Sequence, residues 1–245
     1  MSKNVNFLYG KNSVIERLKI NPKSVRKVFL ADNLKDQNLI SLVKKAGIDI
    51  ELLAKKQIAW IKHAKDHQGV IATVDEYKYK DFSRLLGDAS LGKKAIILLD
   101  RINDPHNLGV IIRLAACLGR FSIVIPAHKA CPVNETVLHV ASGGENYVDI
   151  AQINNLSSAI FGLKKTGFWI AGAVVSKEAE NLFDKELPFP LALIMGSEGQ
   201  GVRPGLRKEL DMQLKIPMQG AKLSLNVGIA TAIFCQEIVR QRSKR

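Results

Sequence analysis

The stretch AIILLDRINDPHNLGVIIRLAACLGRFSIVI, residues 95–125, decides the fold. Its first six residues run apolar up to a terminal Asp100, with no polar alternation. Strands of that kind are buried on both faces, as in parallel sheets whose crossover helices cover both sides. Residues 108–118 read as a helix, with Asn107 placed to cap it and Gly119 just past its last turn. A second apolar run follows at 121–125. Strand, helix, strand is the repeating unit of an α/β fold.

The alternation continues outward to the C-terminus. Strands are predicted at 147–150, 168–175, 191–195 and 212–216, and helices at 133–141, 156–164, 204–210 and 227–240. In the last helix Val227, Ala230, Phe234 and Ile238 line one face. The domain at 93–245 is therefore expected to be α/β, a mostly parallel sheet with helices on both faces. Toward the N-terminus, residues 1–76 read as a smaller α/β unit. Val14, Leu18 and Ile20 suggest a helix ended near Asn21-Pro22; Leu39, Leu42 and Val43 suggest a second, and 58–64 a short third. Strands are expected at 25–30, 48–53 and 69–74. The charged stretch 77–92 reads as a solvated linker carrying a short helix near 82–86.

Of the 245 residues, 36 are Lys or Arg against 23 Asp or Glu, a net charge of +13 spread over both parts. A polyanion partner explains such an excess, because each phosphate contact releases a condensed counterion. A basic protein that touches no nucleic acid explains the charge equally well. Cys117, Cys131 and Cys235 are odd in number and lack CxxC or Cys/His spacing. That argues against a disulfide framework and structural zinc, and leaves each as small core filler in a reducing compartment. No apolar run reaches membrane-spanning length and no signal-type segment opens the chain, so a cytoplasmic protein is expected.

Three loops in the larger domain are built unlike ordinary turns. In open parallel sheets ligands sit beyond the carboxyl ends of the strands, where these loops lie. The first, 100–109, leads into the helix carrying Arg113. A charge among so many apolar neighbours calls for a fixed anionic partner: a ligand phosphate, or simply a structural ion pair. The second is Gly196-Ser-Glu-Gly-Gln-Gly201, whose glycines permit close backbone approach. It matches neither the dinucleotide fingerprint nor a Walker A loop. Glu198 within it would repel nucleotide phosphates and suits a cationic or hydroxyl-rich ligand, or plain solvent. The third, 216–226, joins a strand to the terminal helix and places Ser224 and Asn226 at its N-terminus. There they serve as caps, or beside an anion that the helix end attracts.

In order and spacing these loops are more specific than singly. NDPHNLGVIIRLA (103–115), IMGSEGQGV (194–202) and IPMQGAKLSLNVGIA (216–230) resemble the three signature motifs of the SpoU (TrmH-type) RNA ribose methyltransferases of the SPOUT superfamily. The likeness extends to KACPVNETVLHVASGGENYVDI (129–150), and to FLYGKNSVIERL (7–18) and HQGVIATV (67–74), which resemble the ends of the family's substrate-binding domain. Within the family the sequence is most similar to the bacterial 23S rRNA guanosine-2′-O-methyltransferases, the RlmB type.

The resemblance implies an S-adenosylmethionine-dependent methylation of a ribose 2′-OH of RNA, most simply a guanosine of 23S rRNA. It implies a deep trefoil knot near the C-terminus, a homodimer with the active site near its interface, and a small α/β RNA-binding domain at 1–76. By resemblance, Arg113 binds the target phosphate and helps activate the hydroxyl. Asn107 holds Arg113 or the ribose, and Glu198, Ser224 and Asn226 complete the polar site. Gly196, Ile216 and Leu225, with Val174, hold the methyl donor chiefly through main chain. No metal is expected. His67 and Gln68 face RNA or make a structural turn. Asn12 and Leu114 depart from the residues common at their positions, His and Ser/Thr respectively. The competing readings are a tRNA ribose methyltransferase and an RNA-binding assembly factor that has lost catalysis; small-molecule methylation leaves the charge unexplained.

Overall fold

A computed structural model describes residues 5–54, 57, 67–90, 94–221 and 223–244. The helix expected at 58–64 lies outside the described residues.

The larger unit is a seven-stranded, wholly parallel sheet. Its strands are β5 (Ala95–Asp100), β6 (Phe121–Pro126), β7 (Asp149–Ile153), β8 (Trp169–Ala173), β9 (Glu180–Asn181), β10 (Leu191–Gly196) and β11 (Met212–Lys215), in the order β7-β6-β5-β10-β8-β11-β9. Side chains alternate across β5: Ala95, Ile97 and Leu99 pack on one face, Ile96 and Leu98 on the other. The first face is covered by α4 (Pro105–Leu118), α5 (Glu135–Ala141) and α8 (Val227–Arg242). The second is covered by α3 (Phe82–Ser90), α6 (Leu156–Lys165) and the short α7 (Pro204–Arg207). Continuous apolar strands are buried because both faces carry helices, as the composition of residues 95–100 requires.

The N-terminal unit is a four-stranded sheet of order β1-β4-β2-β3, with β1 (Val5–Tyr9), β2 (Val25–Ala31), β3 (Ile50–Leu53) and β4 (Val70–Asp75), and helices α1 (Lys11–Ile20) and α2 (Gln37–Lys45). Strand β1 was not legible in the sequence. It pairs antiparallel with β4 from Val5↔Asp75 to Tyr9↔Ile71.

The stretch read as a solvated linker is packed along the larger unit instead. The Tyr79 hydroxyl accepts from the Val133 amide at 2.8 Å, and the Lys80 N–H donates to the Ile150 carbonyl at 2.8 Å, extending the sheet beyond β7. Leu85 of α3 is fully buried against the second face. The apolar spacing of Phe82, Leu85 and Leu86 outweighs the charge around it, because burial of one leucine contributes about 1.5–3 kcal/mol. Cys131 and Cys235 are buried as expected, whereas Cys117 points outward from α4. Trp169 is half exposed at the start of β8.

Candidate functional site

At the carboxyl edge of the sheet the three loops converge on one hydrogen-bonded cluster. Asn107 Nδ2 donates to Glu198 Oε1 at 2.8 Å. Asn226 Nδ2 donates to the same Oε1 at 2.7 Å and to Asn107 Oδ1 at 2.9 Å. Asn226 Oδ1 accepts from the Gly228 N–H at 2.8 Å, so one side chain caps α8 and orients two partners. Each amide is therefore fixed in orientation, and Glu198 Oε1 is fully engaged.

Asn107 does not cap α4. Asp104 does, accepting from the His106 N–H at 2.9 Å, with Pro105 in the first turn. Proline lacks an N–H and has a helical φ, so the helix starts as early as it can. Asn107 thus lies inside the first turn, buried, with its side chain released for Glu198.

The glycine loop is held down at both ends. Gly196 stands beside Asp100 in the β10–β5 register, and the Gly201 N–H closes on the Ser197 carbonyl at 2.8 Å. A Cβ on Gly196 would lie 1.9 Å from the Gly201 carbonyl carbon, so no side chain fits there. Asp100, with no exposure at all, accepts from Arg203 Nε at 2.7 Å and from the Arg203 N–H at 3.1 Å. This anchor was missed in the sequence. The signal was present in Asp100, the single charge ending an otherwise apolar strand.

Arg113 is exposed, and its side chain makes no hydrogen bond or ion pair among the described residues. Of the two partners read from the sequence, the structural ion pair is not seen among the described residues. It lies six residues beyond Asn107, about 9 Å along α4 and about 240° around it, so the two do not share a helix face. Ser224 is exposed and makes no hydrogen bond among the described residues; Asn226 alone is the cap. Val174 is buried, its N–H given to the Leu214 carbonyl at 2.9 Å; Ile216 is half-buried, and Leu225 is exposed. His67 and Gln68 make a structural turn. His67 Nδ1 accepts from the Gly69 N–H at 2.8 Å, and Gln68 Oε1 accepts from the Lys11 N–H at 3.1 Å. Among the described residues no group of His, Cys, Asp and Glu is arranged to hold a metal ion.

The profile of the SpoU rRNA Methylase family matches residues 94–236, and that of the RNA 2′-O ribose methyltransferase substrate-binding domain matches residues 7–80. The chain belongs to the SpoU rRNA methylase family. A relative from Coxiella burnetii, a 23S rRNA (guanosine-2′-O-)-methyltransferase RlmB, is 36% identical over 251 residues, covering 99% of this chain and 98% of that one. The SpoU methyltransferase AviRb from Streptomyces viridochromogenes, solved in complex with the cofactor AdoMet, shares the fold with a TM-score of 0.79 at 20% identity, over 98% of this chain and 90% of that chain. The A. aeolicus TrmH/SpoU tRNA modifying enzyme matches at 28% identity and a TM-score of 0.56, over 66% of this chain and 85% of that chain.

The residues around the SpoU motifs suit S-adenosylmethionine. Met218, Leu223 and Leu225, in the third motif loop, expose apolar side chains. The main-chain N–H groups of Met218, Gln219, Gly220 and Leu225 make no hydrogen bond among the described residues. Apolar faces beside free main-chain donors are what an adenosine group needs.

Proposed function

We infer that this SpoU family member transfers a methyl group from S-adenosylmethionine to a ribose 2′-OH of RNA, with a guanosine of 23S rRNA as the target. The observation that carries the reading is the Asn107–Glu198–Asn226 cluster, in which all three signature loops meet through side-chain hydrogen bonds of 2.7–2.9 Å. The strong likeness to an RlmB enzyme over nearly the whole chain supports rRNA. So does the partial coverage by the tRNA modifying enzyme, which leaves about a third of this chain unmatched.

S-adenosylmethionine supplies an electrophilic methyl on a cationic sulfur. The protein's tasks are to bind it and to hold the 2′-oxygen in line, while the hydroxyl proton is released to solvent. Gly196, Ile216 and Leu225 hold the donor through main chain, with Val174 on the wall. Glu198 Oε2 is left to accept from the ligand hydroxyl, because Oε1 already serves two amides. Arg113 binds a phosphate of the target strand and stays protonated, so its role is positioning and charge stabilisation. Alignment of this kind supplies several kcal/mol of barrier reduction. Ser224, exposed two residues before Asn226, meets RNA in this reading.

The separation of Arg113 from Asn107 supports a homodimer in which Arg113 of one protomer completes the cluster of the other. Val110 and Ile229 are 43% and 54% exposed, and α4 touches α8 between them, where a Cβ on Gly228 would sit 3.0 Å from Val110 Cγ1. Leu225 and Met218, on the loop that leads into α8, expose further apolar side chains, and exposed apolar surface of this kind marks an interface. The knot expected of the family belongs to the same reading. It is supported by the placement of β8 between β10 and β11 and by the tight closure of the loop after Gly196. The domain division is that read from the sequence: an RNA-binding unit at 1–76 and the methyltransferase unit at 93–245. A cytoplasmic location accords with three free cysteines.

The test is methyl incorporation from labelled S-adenosylmethionine into unmodified 23S rRNA fragments and into tRNA, followed by mapping of 2′-O-methyl sites. Incorporation at one rRNA guanosine is expected; incorporation into tRNA alone would overturn the rRNA assignment. Mixing inactive Arg113→Ala and Asn226→Ala proteins tests the dimer. A statistical mixture, half of it heterodimers with one intact site of two, should recover up to about a quarter of wild-type activity, and no recovery in confirmed mixed dimers refutes the shared site.

A further inference from the structure

The two units meet across a short segment, α5 and the 3₁₀ turn Gly144–Asn146 that follows it. Glu135 Oε1 accepts from the Phe7 N–H at 2.9 Å, and the His139 ring stacks on Tyr9 with centroids 4.2 Å apart. At the centre Arg17 Nη2 donates to Glu145 Oε1 at 2.9 Å, with side-chain exposures of 5% and 0%. Arg17 Nη1 reaches Ser24 Oγ at 3.3 Å, and Asn146 Nδ2 donates to Glu145 Oε1 at 3.0 Å. Arg17 Nε and Glu145 Oε2 have no partner among the described residues.

An incompletely satisfied buried ion pair is a poor source of stability, because desolvation offsets most of the attraction. It is a strong discriminator of geometry, since a small slide of one unit on the other leaves two buried charges apart in a low-dielectric interface. What this register fixes is specific. The turn bearing Glu145 is clamped between α1 and α4. A Cβ on Gly143 would meet Glu16 Cβ at 2.4 Å, and one on Gly144 would meet Arg113 Cα at 3.0 Å. Through this turn the N-terminal unit is thus seated against the backbone of α4 at Arg113.

We propose that Arg17 and Glu145 are positioning residues for RNA: their buried pair sets the register of the N-terminal unit on α4, so that RNA held by that unit is placed relative to Arg113. The proposal rests on the reading of this chain as an RNA methyltransferase whose N-terminal unit binds substrate. The N-terminal unit then acts as a fixed part of the active site, and RNA placement depends on its seat.

The experiment uses the full chain, an unmodified 23S rRNA fragment that the wild-type protein methylates, and three variants: Arg17→Ala, Glu145→Ala and the apolar double variant Arg17→Met with Glu145→Met. Each single variant should raise KM for RNA about tenfold or more. The Kd for S-adenosylmethionine and kcat at saturating RNA should stay within about twofold. Spin labels on Lys44→Cys and Lys164→Cys, in a Cys117→Ser background, should give one narrow distance in the otherwise wild-type protein and a broadened one in each variant. The double variant keeps the volume and removes the buried charges. It should regain the wild-type Tm, yet keep a KM at least about threefold raised, because the charge register is gone. Recovery of both Tm and KM in the double variant would reduce the pair to a structural role and overturn the proposal. So would a wild-type KM in the single variants. A wild-type protein that methylates no RNA would instead overturn the functional reading, separately from the seating.

Discussion

Replacing Gly196 with alanine isolates the closure of the glycine loop. The added Cβ would lie 1.9 Å from Gly201 C, 2.1 Å from Val202 N and 2.3 Å from Gly201 O, all backbone atoms that no rotamer change can move aside. Real Cβ atoms essentially never approach closer than 3.0 Å, so the 201–202 main chain must retreat by about 1 Å. That retreat breaks the 2.8 Å bond from the Gly201 N–H to the Ser197 carbonyl and drags on the Arg203–Asp100 anchor. Glu198, carried on the same loop, moves away from Asn107 and Asn226. Misplacement of about 1 Å in a site costs about 10²-fold, or about 2.7 kcal/mol in transition-state terms. Overpacking adds about 1–3 kcal/mol of destabilisation. Gly199, in the same loop, is the control, because a Cβ there meets nothing within 4 Å. The assays are calorimetric S-adenosylmethionine binding and kcat/KM for RNA methylation, with Tm measured alongside. The reasoning is refuted if Gly196→Ala stays within about threefold of wild type in both, or if Gly199→Ala is damaged as severely.

Arg113→Ala should abolish detectable methylation while changing stability by no more than about 0.5 kcal/mol, since the residue is exposed and its side chain makes no hydrogen bond or ion pair among the described residues; activity assays and thermal melts read both. Asn226→Asp keeps the oxygen that caps α8 but loses the amide donated to Asn107 and Glu198, and sets two carboxylates against each other. Its Tm should hold while kcat/KM falls at least about tenfold; an equal fall in Asn226→Ala and none in Asn226→Asp would show that only the cap matters. The Arg240 guanidinium holds the Glu237 carboxyl below the ordinary glutamate range, against the opposing effect of burial, with Gln241 adding to it. A depressed carboxylate stabilises the fold above its unfolded value of about 4.5 and loses that contribution as pH falls through the folded value. The Tm gap between wild type and Glu237→Gln should therefore be constant near neutral pH and close below about pH 4.5. With a thiol reagent near pH 8, Cys117 should react first. Cys131 and Cys235, whose thiols burial pushes up (Cys235 to about 12), should react only on unfolding.

The alternating apolar runs located the parallel sheet and most of its helices, because buried strands and amphipathic helices leave local periodicity. Strand β1 left none, since half of its pattern is set by pairing with β4, 61 residues or more away in sequence. The segment at 77–92 misled because charge is counted along the chain, whereas burial of Leu85 and Tyr79 is decided by β7 and Val133. Asn107 looked like a cap because capping chemistry is local. That Asp104 takes the role, and frees Asn107 for Glu198, depends on where Pro105 lets the helix begin.

By itself the sequence determined the α/β class, the basic character and the three motif loops, since composition, period and motif spacing are properties of the chain alone. The tertiary structure decided which motif residues meet. Asn107, Glu198 and Asn226, up to 119 positions apart, share one carboxylate oxygen, while Arg113 stands off on another face of its helix. It also decided the seat of the N-terminal unit, where Arg17 finds Glu145 across 128 residues. Such pairings depend on how the loops and units pack in space, and their separation along the chain leaves no local pattern to read.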